Sequence, residues 1–393
     1  MSTEPADRYR WHALGVATLA FASFAAVLVG IPVLAPALRE RFHLDVFEVG
    51  VMLACAEVGM AVTLMAWGDA ADRFGERTTL VAGLTGGGLA IGAAAFAPST
   101  PLFLAGLVIT GLCGAAISIS SPRLVLGLFG PDERGTPLAI RQSAVPVAGI
   151  AVGLTMATIA GWGGTEASLT VLAAAMLAAA VLAAAVLRGG GGREPRTPRE
   201  TGEHPRRNRR VWRVAAAGGL MLTGQVVLLG FTTVYLVDEQ GLTTAAAGVV
   251  VAGTLALGAL CLLFLGRWSD RRALWLVPMR WVCVATAIGL GLIGLFADDG
   301  AWVAIALLAL TGALSQSWMT LPTTVLAALV TRQRHGAAMG IQQTLLAFSA
   351  GLSPIVFGWG VETFSWGASF AVTGLLMLVP AAMVWNLDEV PRL

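Results

Sequence analysis

Twelve runs of about 20 mostly apolar residues, each long enough to cross a lipid hydrocarbon core, follow one another along this chain. They fall at 13 to 35, 47 to 67, 79 to 97, 102 to 128, 136 to 160, 167 to 187, 213 to 235, 245 to 265, 275 to 296, 301 to 328, 337 to 360 and 366 to 386. With 56% hydrophobic and 12% charged residues and a mean hydropathy of +0.78, the chain has too little polar surface to coat a soluble globule of its size. It must be solvated by lipid. The first run is long and has no small-residue cleavage site followed by a soluble domain, so it reads as a retained span and not as a secretory leader. The expected fold is an all-α integral membrane protein. The four cysteines, Cys55, Cys113, Cys261 and Cys283, all lie inside apolar runs, at spacings that suggest neither a disulfide framework nor a metal cluster. They read as small buried hydrophobes.

Six runs precede and six follow a break, dividing the chain into an N-terminal half at 1–187, a linker at 188–212 and a C-terminal half at 213–393. From Arg188 to Arg213 the chain holds four successive glycines, three prolines and nine arginines, a composition that buries no apolar area and reads as a tether. Such an arginine cluster can bind anionic lipid headgroups or nucleic acid, but setting topology already accounts for its charge, and neither partner is expected of it. Because the chain has no lysine, arginine alone decides orientation. With both termini cytoplasmic, the cytoplasm receives Arg8, Arg10, Arg73, Arg77, Arg134, the linker arginines, Arg267, Arg271, Arg272, Arg332 and Arg334. Only Arg39 and Arg41 are left in an external loop, while the other external turns carry Glu166, Asp238, Glu239, Asp298, Asp299 and Glu362 or no charge.

The two halves are copies. Gly68, Asp72 and Arg73 recur 198 residues later as Gly266, Asp270 and Arg271, and Leu44/Leu242 and Gly50/Gly248 keep that offset. Pro122/Pro322 are 200 apart, and Gly135/Gly336, Ile140/Ile341 and Gln142/Gln343 are 201 apart. In the first copy Gly75 and Arg77 complete the pattern GxxxDRxGxR, which resembles the loop motif between the second and third helices of major facilitator superfamily transporters. The resemblance extends over essentially the whole chain through the span count. It implies two parallel six-helix repeats with substrate between them, alternating access, and a gating role for Gly68, Asp72, Arg73, Gly75, Arg77, Asp270 and Arg271.

Residues that both copies share serve the scaffold, so residues present in one copy are the candidates for chemistry. Glu57 stands at the eleventh position of the second span, where an ionisable group costs a few kcal/mol, and its repeat position is Leu255. It is the candidate proton carrier, against the alternative of a hydrogen bond that serves packing alone. Arg123 and Arg141 lie nine residues to either side of Asp132, and their repeat positions are Thr323 and Gln342. Two guanidiniums at one level suit a carboxylate or another oxyanion. The rival reading is snorkelling or pairing with a loop acid. Arg280, a turn inside the ninth span, reads as snorkelling. The C-terminal half offers uncharged polarity: Gln225 and Tyr235, the run Ser315, Gln316, Ser317, Trp318 and Thr320, and Gln342, Gln343 and Thr344. Of these, Gln225, Gln316, Trp318, Gln342 and Gln343, with Gln142 of the first half, join the arginines as candidate substrate contacts, and Trp318 is placed to stack on a planar ligand.

The expected function is secondary transport of a small solute, an organic anion, coupled to protons, in the cell membrane, by a monomer with no cofactor beyond the proton gradient. The runner-up is a proton-antiporting drug or metabolite exporter. Against it, Leu107 stands where such exporters carry arginine four residues before Gly111, and their fifth-helix signature survives only as Val145, Pro146, Gly149 and Ile150. The pattern Arg141, Gln142, Pro146, Gly149 resembles a broad bacterial group that includes cyanate and nitroimidazole permease-like members. A non-transporting sensor would carry an added soluble domain or long tail, which the short flanks of the outer spans do not suggest. An enzyme is not expected, since no span pairs a nucleophile with histidine or sets two metal ligands at helical spacing.

Overall fold

The computed structural model describes residues 4–130, 133, 135–188, 207–272, 274–296, 300–330 and 335–389. Their regular structure is helical: α1 (Glu4–Phe42), α2 (Val46–Phe74), α3 (Glu76–Ala95), α4 (Thr100–Leu128), α5 (Gly135–Gln142), α6 (Ala144–Val186), α7 (Arg209–Asp238), α8 (Thr244–Arg272), α9 (Leu276–Phe296), α10 (Ala301–Gln316), α11 (Leu321–Leu329), α12 (His335–Thr363) and α13 (Trp366–Trp385). Most of the expected tether, 189–206, lies outside the described residues, as do Asp132, Arg134, Asp298, Asp299, Arg332, Arg334 and the side chain of Asp270. At its C-terminal end the expected linker gives way to helix early, because α7 starts at Arg209 with the Asn208 side chain accepting from Arg210 N–H.

Eleven described stretches are long and apolar enough to cross a membrane. One of them, Thr136–Val186, has 51 residues, about 76 Å if straight and more than twice the roughly 30 Å hydrocarbon core. It is not straight. Gly163 and Gly164 leave helical dihedrals, and Gly164 takes φ 71°, a left-handed value open to glycine at little cost. Ser168 Oγ donates to Met156 O at 3.0 Å, although a straight helix would hold these residues about 18 Å apart. The segment doubles back, and its two arms account for the fifth and sixth expected spans.

Two spans expected to be continuous are interrupted, each beside a proline. Proline has no N–H to give the carbonyl four residues earlier. Pro146 leaves Gln142 O without that donor, and α5 ends at Gln142. Pro322 does the same to Trp318 O, which accepts from Leu321 N–H at 2.9 Å instead. The tenth span is therefore α10, a turn over Ser317 to Thr320, and α11.

The chain forms two compact units, Met1–Phe42 with Cys55–Pro195, and His43–Ala54 with Arg196–Leu393. In the first, α1 packs on α6 and α3 packs on both α4 and α6. Lipid gives no hydrophobic drive for such contacts, so small residues let backbones approach. A β-carbon at Gly111 would overlap Ala56 O, and one at Gly59 would overlap Val108 O. Beside this crossing, Thr63 Oγ1 and Trp67 Nε1 donate to Leu112 O at 2.8 and 2.7 Å.

In the second unit α7 packs on α12 and α13, α9 on α13, and α8 on α10. Residues 43–54, which the sequence division assigns to the first half, belong to this unit: Val46 N–H donates to Glu362 Oε1 at 2.7 Å, and Gly50 meets the Pro354 carbonyl. Helix ends are closed by charged side chains. Arg77 Nη2 donates to Ala184 O at 2.5 Å in the last turn of α6. Arg280 does the corresponding thing in the second unit, reaching Val384 O at 3.1 Å and Leu387 O at 2.5 Å at the end of α13. Its long side chain thus caps a helix, whereas the sequence suggested snorkelling. Glu389 closes the start of α9 by accepting from Trp275, Leu276 and Val277 N–H at 3.0, 3.1 and 2.7 Å.

Candidate functional site

In the first unit the site is built around Arg141, the penultimate residue of α5, whose side chain lies alongside α1 and α4. It is 7% exposed. Its Nε donates to Ser121 Oγ at 2.7 Å and its Nη1 to Gln142 Oε1 at 3.1 Å, and the guanidinium lies 3.6 Å from the centre of the Phe21 ring. All these partners are neutral. No described carboxylate pairs with Arg141, so its charge is balanced only by dipoles and an aromatic face. An unpaired buried cation is costly unless an anion joins it.

Arg123 takes a different role from the one shared level suggested. Its Nη2 donates to Asp72 Oδ1 and its Nη1 to Gly68 O at 3.3 Å, and its side chain is 38% exposed. It is thus engaged by the loop motif, which was the rival reading. The pairing has a cause: Asp72 sits in the last turn of α2, where exposed carbonyls disfavour a carboxylate, and a guanidinium offsets both. Gly75 turns the chain from α2 into α3 with φ 83°, which explains a glycine at that place in the motif. Arg73 and Arg271 are exposed.

Glu57 lies on α2 beside the close crossing with α4. It is half-buried and makes no hydrogen bond or ion pair with any described residue.

In the second unit three side chains form a directed chain across α7 and the end of α10. Trp318 Nε1 donates to Gln225 Oε1 at 3.1 Å, and Gln225 Nε2 donates to Gln316 Oε1 at 2.7 Å. An indole N–H can only donate, so it dictates how both amides point. Gln316 Nε2 is left as a buried donor with no partner among the described residues. Trp318 is 2% exposed, packed among residues such as Met221, Leu321 and Val325. It presents no open face to a planar ligand, so the expected stacking role does not fit this arrangement. Gln342 is buried and reaches Thr323 Oγ1 at 3.5 Å, whereas Gln142 and Gln343 are exposed. Tyr235 sits in an aromatic cluster with Phe231, Trp366 and Phe370 and accepts from Gln240 at 3.2 Å.

Residues 16–279 match the family model of the Major Facilitator Superfamily. The chain belongs to that superfamily. Over 382 residues it is 29% identical to an uncharacterised MFS-type transporter of Mycobacterium tuberculosis, covering 95% of this chain and 84% of the relative. Among solved structures it resembles a bacterial homologue of the human lysosomal transporter Spinster, with a TM-score of 0.81, 16% identity and 96% of each chain covered. It also resembles a D-xylose–proton symporter, with a TM-score of 0.77, 17% identity and 98% of each chain covered. At these identities the likeness to solved structures establishes fold. This is a multi-pass membrane transporter of a small-molecule substrate, in a family of transporters and not of enzymes.

Several contacts at the candidate site of this MFS protein were missed by sequence reasoning. Nothing in the sequence singles out Phe21 among fifteen phenylalanines. Ser121 carried a faint signal, being one of two adjacent serines in an apolar span. The order Trp318, Gln225, Gln316 needed the fold, because 93 and 91 residues separate the partners.

Proposed function

We propose that this transporter moves a small organic anion by alternating access, with a proton carried by Glu57. It works as a monomer in the cell membrane with both termini cytoplasmic. The observation that carries the anion reading is Arg141: a guanidinium with 7% exposure that bonds only to Ser121 and Gln142 and rests on Phe21. Three of its four Nη hydrogens make no hydrogen bond to a described residue, an arrangement suited to a planar carboxylate. Arg123, committed to Asp72, is not part of this site.

Glu57 supports the coupling half of the reading, since a mid-span carboxylate without a protein partner is free to exchange its proton. One structural neighbour is a proton symporter by name, which agrees with such coupling.

The test is Arg141→Gln, which keeps hydrogen bonding and copies the residue of the repeat partner, Gln342. Affinity for an anionic ligand should fall by roughly 2 to 4 kcal/mol, as when a desolvated charge pair is broken. Binding of neutral esters or amides of that ligand should be weak before and after substitution. If the variant keeps acid binding, or if the wild type prefers lipophilic cations, the anion reading fails and drug export takes its place.

A further inference from the structure

The second unit holds a groove between α7, α12 and α13, with a volume of about 640 Å³. Apart from the hydroxyls of Thr223, Ser349, Ser353, Ser369 and Thr373 its lining is apolar. Its outer lip carries Phe348 and Val372, exposed by 66% and 65%, on helices long and apolar enough to cross a membrane. The space therefore opens toward the hydrocarbon of the bilayer. Along α13 it runs from Ala368 to Met383, about 22 Å at helical rise. That exceeds half of the roughly 30 Å core, so a hydrocarbon chain entering from one boundary can lie in it for its whole length.

One end of the groove is charged. Met383 forms that end, and its carbonyl accepts from Arg213 Nε at 2.8 Å. On α7 the lining residues Ala216, Leu220, Thr223 and Val227 recur at spacings of three and four, a single helical face. Continued toward the N-terminus, that face carries Arg213 and then Arg209. The Nη groups of Arg213 meet no described acceptor, and Arg209 is exposed without a described partner. Trp212, 44% exposed, stands between them, where an amphipathic ring suits the headgroup level.

We propose that this groove binds an anionic membrane phospholipid, its phosphate held by Arg213 and Arg209 and one acyl chain lying between α7, α12 and α13. A zwitterionic lipid offers the same chain, but its own ammonium offsets the phosphate, so charge complementarity selects the anionic headgroup. The arginine asymmetry of the sequence assigns this end to the cytoplasmic leaflet.

Native mass spectrometry of the purified full-length protein, from micelles with equal phosphatidylglycerol and phosphatidylcholine, tests the proposal. The wild type should retain one phosphatidylglycerol in strong preference. Each basic residue near an anionic headgroup is worth about fivefold, so the double variant Arg209→Gln with Arg213→Gln should lower the preference roughly thirtyfold. Ala216→Phe fills the groove while leaving the arginines in place, and it should reduce retention of both lipids. Arg209→Gln alone, at the exposed first residue of α7, should lower the preference about fivefold even if the double variant fails to fold. Equal retention of the two lipids by the wild type overturns the proposal, as does retention unchanged by Arg209→Gln or by Ala216→Phe. A lipid-free dimer would show a second copy covering the groove, and displacement of lipid by millimolar inorganic phosphate would show a free-phosphate site; either also overturns it.

Discussion

At the scale of single residues, what matters is whether a buried polar group has a partner. Arg141 and Glu57 are two ionisable side chains within the spans that have no counter-charge among the described residues, and both are absent from the other repeat. Glu57→Gln freezes the side chain in a form resembling the protonated state. In proteoliposomes it should abolish accumulation driven by a pH gradient yet permit solute exchange at equal concentrations. Concentrative uptake preserved with an unchanged pH profile would sink the coupling role. The amide chain of the second unit illustrates the opposite condition, in which a residue is spoken for. Trp318 cannot be lost cheaply, since Trp318→Phe leaves Gln225 Oε1 as a buried acceptor without its donor.

At the scale of elements, helix ends and interruptions carry the information. Prolines break the fifth and tenth spans where carbonyls lose donors, and they do so beside Arg141 and beside Trp318. Repeat-related arginines close repeat-related helices: Arg77 caps α6 and Arg280 caps α13, a correspondence invisible in the 198-residue alignment of the copies because the arginines are 203 apart. Glu389 adds a cap with three acceptances at the positive end of α9, where a carboxylate is favoured by the macrodipole as well. Glu389→Ala should cost about 0.5 to 2 kcal/mol of stability, read as a lower melting temperature with ligand affinity unchanged. A melting curve that does not move would show that water replaces the cap at no cost.

At the scale of the whole molecule, the loop motif concerns turnover more than binding. Asp72 with Arg123 and Gly68 ties α2 to α4 within the first unit, and a transporter must populate more than one such arrangement. Asp72→Ala should slow transport while leaving equilibrium affinity within a few-fold, because the tie does not touch Arg141. Equal loss of binding and turnover would count against gating. Class, span number, repeat and loop motif were all legible in the sequence, because apolar length is a property of contiguous residues and lipid leaves a helix few alternatives. Which arginine stays unpaired was not legible. Arg123 and Arg141 look equivalent by spacing, and only side-chain reach in the folded first unit gave one to Asp72 and left the other on Ser121 and Phe21. The same holds for the tertiary caps, whose partners lie more than 100 residues apart in sequence. Local hydrophobicity decides that these segments are membrane helices; long-range packing decides which polar atoms remain for a substrate.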